Sequence, residues 1–241
     1  MRVSFDATGE VVVITGGAQG IGAALAQAVT ACGGTAVVFD VVKPGPGVEY
    51  VEVDVADRSS VESAVAVVMA RYGRIDGLVA GAAVQPRSAV VDMDPAEWTR
   101  TLQVNLDGVV WACQAVVPHM VARRSGSVVV FTSGMAVTGW AGAAAYASSK
   151  AALIAFAKSL AAEVAADRVR VNVAAPGVID TEQFRGANAG VEREHWQDTI
   201  GIGDPEDVVG PLLFLLSDAA AMTGSVLTRE RAFAKLATFT E

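Results

Sequence analysis

Tyr146 and Lys150 stand four residues apart in an Ala-rich stretch, Tyr146 to Ala166. If that stretch is a helix, the two side chains share one face. A free phenol has a pKa of about 10 and is a poor base near neutrality. An ammonium about 4 Å away is worth up to about 4 kcal/mol at an effective dielectric near 20. At about 1.36 kcal/mol per unit, that attraction could lower the phenol by about three units. A phenol tuned in this way suits general acid–base work on an oxygen.

A second group of residues lies near the start of the chain. Thr15-Gly16-Gly17-Ala18-Gln19-Gly20-Ile21-Gly22 joins an apolar, β-branched run to a segment rich in Ala. Glycines at 16, 20 and 22 let the backbone approach a pyrophosphate, and a helix N-terminus adds unpaired N–H groups and partial positive charge. Gln19 and Ile21 fall within the same turn. Asp40 closes the next strand-like run, where a carboxylate can accept both ribose hydroxyls of an adenosine half and repel a 2′-phosphate. No Arg or Lys occupies positions 17 to 19 to attract such a phosphate. The pattern favours NAD over NADP. Asp54 and Val55, after the third strand-like run, are placed either to meet an adenine ring or to make a simple turn.

These residues need a frame, and the chain's periodicity supplies one. Strands are expected at Glu10–Thr15, Thr35–Val41, Val51–Asp54, Ile75–Ala80, Ser127–Thr132 and Val169–Val173. Helices are expected at Ile21–Cys32, Ser59–Tyr72, Tyr146–Ala166 and Pro205–Leu216, with one or two more across Pro95–Arg123. Strands that are apolar throughout are buried on both faces. Their alternation with helices implies a parallel α/β sheet with right-handed crossovers. Residues 1–241 read as a single domain. Residues 180–203 are polar, carry four glycines and read as a long loop of the kind that forms a substrate lid.

Composition excludes several classes. The 241 residues are 52% hydrophobic and 18% charged, which is inconsistent with intrinsic disorder. No apolar run reaches the roughly 20 residues of a membrane span, since Ala141–Ala166 is cut by Lys150, Lys158 and Glu163. The start shows no leader pattern, and the reading is a cytoplasmic protein without membrane association. A net charge of −8 argues against a nucleic-acid surface. Cys32 and Cys113 read as small buried hydrophobes, and no His/Cys spacing calls for a metal.

The ordered markers Thr15-Gly16-xxx-Gly20-x-Gly22, Asp54, Asn105, Ser133, Tyr146-xxx-Lys150 and Pro176-Gly177 resemble those of the short-chain dehydrogenase/reductase family in its single-domain form. The resemblance runs from about Gly9 to Thr228. It implies a doubly wound, parallel, seven-stranded sheet of Rossmann type in three α/β/α layers. It also implies a nicotinamide cofactor and interconversion of an alcohol and a carbonyl. Carried over residue by residue, Tyr146 is the general acid/base and Lys150 also holds the nicotinamide ribose. Ser133 holds the substrate oxygen, and Asn105 fixes a water relay from Lys150. Gly81 would offer backbone to the cofactor, and Ile179 and Thr181 would meet the nicotinamide amide. Met135, Trp140, Phe184 and Trp196, with Ser133 and Tyr146, would line the substrate pocket. Their apolar character suits a hydrophobic or cyclic secondary alcohol or ketone. A homotetramer or homodimer is implied as well.

The chain departs from the family pattern twice. Ala80-Gly81-Ala82-Ala83 replaces the usual Asn-Asn-Ala-Gly, which removes side-chain braces from the central strand. Thr228-Arg229-Glu230-Arg231 replaces the usual Asp-Gly-Gly close. The alternatives are an NADPH-dependent ketoreductase and a non-catalytic nucleotide-binding regulator. An intact Asn105, Ser133, Tyr146 and Lys150 disfavours the regulator, and a Rossmann methyltransferase would not need Tyr-xxx-Lys.

Overall fold

The computed structural model describes residues 4–188 and 191–230. Gly190 and the tail Arg231–Glu241, which the sequence reading touched, lie outside the described residues. Seven parallel strands form one sheet: β1 (Val11–Thr15), β2 (Thr35–Asp40), β3 (Glu49–Glu52), β4 (Gly77–Ala80), β5 (Gly126–Phe131), β6 (Val169–Ala175) and β7 (Val226–Thr228). Their order is β3-β2-β1-β4-β5-β6-β7. β1 runs between β2 and β4, with Val13 opposite Val37 on one side and Leu78 on the other.

The all-apolar strands face two cores at once. Side chains alternate along a strand, so Val11 and Val13 enter one core and Val12 and Ile14 the other. The first core is closed by α2 (Arg58–Tyr72), α4 (Gly108–Arg123) and α6 (Ala144–Val164). The second is closed by α1 (Gly20–Ala31) and α9 (Val209–Leu216). This is the doubly wound, three-layer α/β/α Rossmann arrangement. Chain order reverses between β1 and β4, the switch point at which such sheets bind ligands beyond their carboxyl ends.

Three local results refine the sequence reading. Pro95–Arg123 forms two helices, α3 (Pro95–Leu102) and α4, joined by a π-helical turn at Gln103–Asp107 that carries Asn105. A short α5 (Met135–Thr138) follows β5. Residues 180–203, expected as a loop, contain α7 (Glu182–Ala187) and α8 (Val191–Thr199). Thr181 caps α7, its hydroxyl accepting from Phe184 N at 3.1 Å, and Glu182 sits favourably in the first turn. Polar composition concealed these helices, because they bury only part of their surface.

Candidate active site

The glycine turn is shaped by the protein's own close packing. At Gly16, φ is +70°, and an added Cβ would lie 2.7 Å from Ala82 Cα. At Gly22 an added Cβ would strike the Gly16 carbonyl. Both positions therefore exclude a side chain before any ligand is considered. The start of α1 carries no side-chain cap at Gln19 and no acid in its first turn. Its leading N–H groups thus face the cleft available to an anion.

That cleft has a volume of about 410 Å³ and runs along the carboxyl ends of β1, β2, β4, β5 and β6. Gly16, Gln19, Gly20, Ile21 and Gly22 line one part of it, and Asp40, Asp54 and Val55 line one end. Asp40 is held firmly: Oδ2 accepts from Ala18 N at 3.0 Å and Oδ1 from Val42 N at 3.0 Å. Asp54 is engaged elsewhere, accepting from Ala56 N at 3.0 Å and pairing with Arg100 at 3.2 Å. Gly81, Ser133, Met135, Tyr146, Lys150, Ile179, Thr181, Phe184 and Trp196 line the rest. Trp140, expected in the pocket wall, is not among the lining residues. It stacks on Trp196 instead, with ring centroids 4.4 Å apart.

Tyr146 and Lys150 lie one turn apart near the start of α6. The Lys150 side chain is only 2% exposed, and its Nζ donates to Phe131 O at 3.1 Å. The ammonium lies 5.8 Å from the centre of the Tyr146 ring. Burial drives the Lys150 pKa down to about 8. Burial also pushes the Tyr146 phenol above its ordinary value, while a hydrogen bond with Ser133 and the charge of Arg87 pull it down. This corrects the expectation of a phenol lowered by Lys150 alone. Desolvation opposes the charged form of both groups, and it is the largest influence on each. The Ser133 hydroxyl also accepts from Met135 N at 3.3 Å. Thr132 donates to Lys150 O at 2.8 Å and ties the end of β5 to α6.

Asn105 is fully buried and spends its amide on other groups. Oδ1 accepts from Val84 N at 2.8 Å, and Nδ2 donates to Val84 O at 2.9 Å and Ser149 Oγ at 3.1 Å. Its side chain braces the segment after β4. The braces missing from Ala80-Gly81-Ala82-Ala83 are replaced in part by Thr15, whose Oγ1 accepts from Gly81 N at 3.1 Å and Ala82 N at 3.2 Å.

Sequence reasoning passed over Arg87 and Asn188, and gave Thr15 no role beyond its place in the glycine motif. Arg87 Nη2 donates to Asn188 Oδ1 at 2.7 Å, and Trp196 Nε1 donates to the same oxygen at 3.3 Å. Asn188 Nδ2 donates to Phe184 O at 3.0 Å, so one buried amide joins both short helices to the segment after β4. A signal existed for Arg87 alone: it is the only charged residue from Ala80 to Val91.

A doubly wound sheet with a glycine turn at its switch point, and a Ser, Tyr and Lys at the neighbouring strand end, defines a dinucleotide-linked oxidoreductase framework. The family model described as short chain dehydrogenase matches residues 10–192, and the chain belongs to that family. It is 34% identical over 235 residues to 3-oxoacyl-[acyl-carrier-protein] reductase FabG of Chlamydia pneumoniae, covering 91% of this chain and 94% of the relative. It is 33% identical over 232 residues to cis-4-hydroxycyclohexanecarboxylate dehydrogenase of Sinomonas cyclohexanicum, covering 90% and 93% respectively. Among solved structures, ligand-free aldohexose dehydrogenase of Thermoplasma acidophilum superposes with a TM-score of 0.85 at 29% identity, covering 93% of this chain and 92% of that one. The protein is therefore an oxidoreductase of the short-chain dehydrogenase family. No helix among the described residues is long and apolar enough to cross a membrane.

Proposed function

We propose that the protein transfers a hydride between NAD and a hydrophobic or cyclic secondary alcohol or ketone, with Tyr146 as the general acid/base. The observation that carries this reading is the single cleft joining Asp40 and the glycine turn to Ser133, Tyr146 and Lys150. The donor set fits the cofactor. The uncapped start of α1 suits its pyrophosphate, through Gly16, Gln19, Gly20, Ile21 and Gly22. Asp40 suits the adenosine ribose, with Asp54 and Val55 beside the adenine. Gly81, Ile179 and Thr181, with Tyr146 and Lys150, would hold the nicotinamide half. When bound, the nicotinamide supplies or accepts the hydride.

The chain's own residues handle the proton and the substrate oxygen. Ser133 donates to that oxygen and fixes it beside the phenol. Tyr146 takes the hydroxyl proton in oxidation and returns one to the oxygen in reduction. Lys150 stabilises the phenolate by its charge. Asn105 acts through Val84 and Ser149 as a positioning residue. Met135, Phe184 and Trp196 give the substrate end apolar walls. A 3-oxoacyl reductase and a hydroxycyclohexanecarboxylate dehydrogenase among the relatives support alcohol–carbonyl chemistry.

The test is a panel of cyclic and open-chain secondary alcohols and ketones, read by nicotinamide absorbance with NAD(H) and NADP(H). Turnover with NAD(H) that disappears in Tyr146→Phe, while NADH still binds by fluorescence titration, is the expected result. Turnover in Tyr146→Phe near the unmodified rate would overturn the acid/base assignment.

A further inference from the structure

Arg87 does not itself line the cleft but packs behind its lid end, against residues that do. Nη1 lies 4.0 Å from the sulfur of Met135, a lining residue. Nη2 shares the Asn188 oxygen with Trp196, which also lines the cleft. The guanidinium charge reaches the Tyr146 phenol. One direct contact, with Met135, and one acceptor shared with Trp196 thus place it next to the pocket wall.

Its partners are unusual for a half-buried cation. Nε donates to Ala187 O at 3.3 Å, Nη2 to Asn188 Oδ1 at 2.7 Å, and Nη1 meets only a thioether. All three acceptors are neutral. Among the described residues no carboxylate comes within ion-pair distance of Arg87. Glu192 is the nearest anion felt by the group, and its carboxylate accepts from Trp140 Nε1 at 3.4 Å. Burial lowers the Arg87 pKa, as expected for a cation removed from water without a counter-charge. Elsewhere in this protein arginines find carboxylates: Arg193 grips Asp180 with two bonds at 3.0 and 3.2 Å, and Arg74 grips Asp76 with two at 2.8 Å.

A guanidinium presents its donors in a fixed planar fork matched to a carboxylate. Two of Arg87's nitrogens are anchored to Ala187 and Asn188, which fixes the plane of that fork. The remaining Nη1 has only the Met135 sulfur, at 4.0 Å, as a partner. Resting on the function proposed above, we propose that Arg87 recognises a carboxylate on the substrate, so that the preferred substrate is an apolar or cyclic hydroxy or oxo acid. The acid group lies toward the lid helices and the reacting carbon toward Ser133 and Tyr146.

The test uses paired probes that differ only in charge. Cyclohexanecarboxylate and cyclohexanecarboxamide are titrated against the full chain in the presence of NAD, by calorimetry and by tryptophan fluorescence. The same comparison is made on turnover with 4-oxocyclohexanecarboxylate and its amide. The carboxylate is expected to bind about tenfold tighter than the amide, the size of one charge-assisted hydrogen bond, and the margin should shrink with added salt. Arg87→Gln removes the charge while keeping a donor for Asn188, and should abolish the margin. Arg87→Lys should retain part of it. A margin absent from the unmodified protein, or preserved in Arg87→Gln, overturns the inference. Turnover without a carboxylate margin would sink this inference and leave the proposed function standing. A salt-sensitive margin with no turnover of any ketone or alcohol would do the reverse.

Discussion

Asp40 is the residue on which the choice of cofactor turns, and Asp40→Asn isolates its charge with little change of shape. Two backbone N–H groups fix the carboxylate, from Ala18 and Val42, each at 3.0 Å. It therefore cannot swing aside to accommodate a phosphate on the adjacent ribose. A phosphate carries a charge of about −1.5 to −2 at neutral pH. At about 4 Å, each unit of that charge meets about 1 kcal/mol of repulsion in bulk water and about 4 at an effective dielectric near 20. Asp40 is partly exposed, so a value of about 2–3 kcal/mol against NADP is appropriate, or roughly 30- to 150-fold. Asp40→Asn should raise the ratio of kcat/KM for NADPH to that for NADH by about this factor at low ionic strength, and less in added salt. The assay is oxidation of each reduced cofactor with one ketone under matched conditions. An unchanged ratio would refute the electrostatic argument, whatever happened to the absolute rates.

Lys150→Met should stabilise the fold at pH 7. The folded-state pKa of about 8 lies below the ordinary 10.5, so the unfolded chain binds the extra proton. This costs up to about 3 kcal/mol below pH 8 and is relieved as pH rises from there to about 10.5; urea unfolding at pH 7 measures the gain. Asp76→Asn should destabilise by about 2–3 kcal/mol, because Asp76 accepts from Val11 N, Arg74 and Arg123 together. Burial raises its pKa but these bonds outweigh that, leaving it below 3.8. Its contribution is therefore complete above that value and is lost as pH falls through the folded pKa, which acid-unfolding curves of the two proteins would show. Asn105→Ala should cost about 1–3 kcal/mol by leaving Val84 N–H and C=O without their partner, with slower hydrogen exchange lost at Val84.

The parts legible in the sequence were those set by local spacing. The glycine turn between an apolar run and an Ala-rich helix, and a Tyr and Lys one turn apart, depend on neighbours within a few residues. So does the apolar character of β1, β4 and β5, which shows burial on both faces. The parts that escaped depend on distant residues. Asn105 reaches Val84, 21 positions away, and Arg87 reaches Asn188, 101 positions away. That the Tyr146 phenol ends up raised, not lowered, escaped for the same reason. Spacing placed the two side chains together, but burial by the rest of the fold sets their charge states. Trp140 shows the limit for apolar residues: composition marked it as a pocket wall, and the approach of α8 turned it into a support for Trp196.

Burial of the Tyr146–Lys150 pair also bears on where the proton rests. Desolvation favours the neutral pair, phenol and amine, because it raises the one pKa above 10 and lowers the other to about 8. Their attraction as phenolate and ammonium works the other way. The two effects oppose each other, and desolvation is the largest influence on each group. Ser133 and Arg87 already push toward the phenolate, and positive charge entering the cleft pushes further. The buried lysine thus destabilises the resting fold, while its positive charge, with Ser133 and Arg87, favours the phenolate that acid–base catalysis draws on.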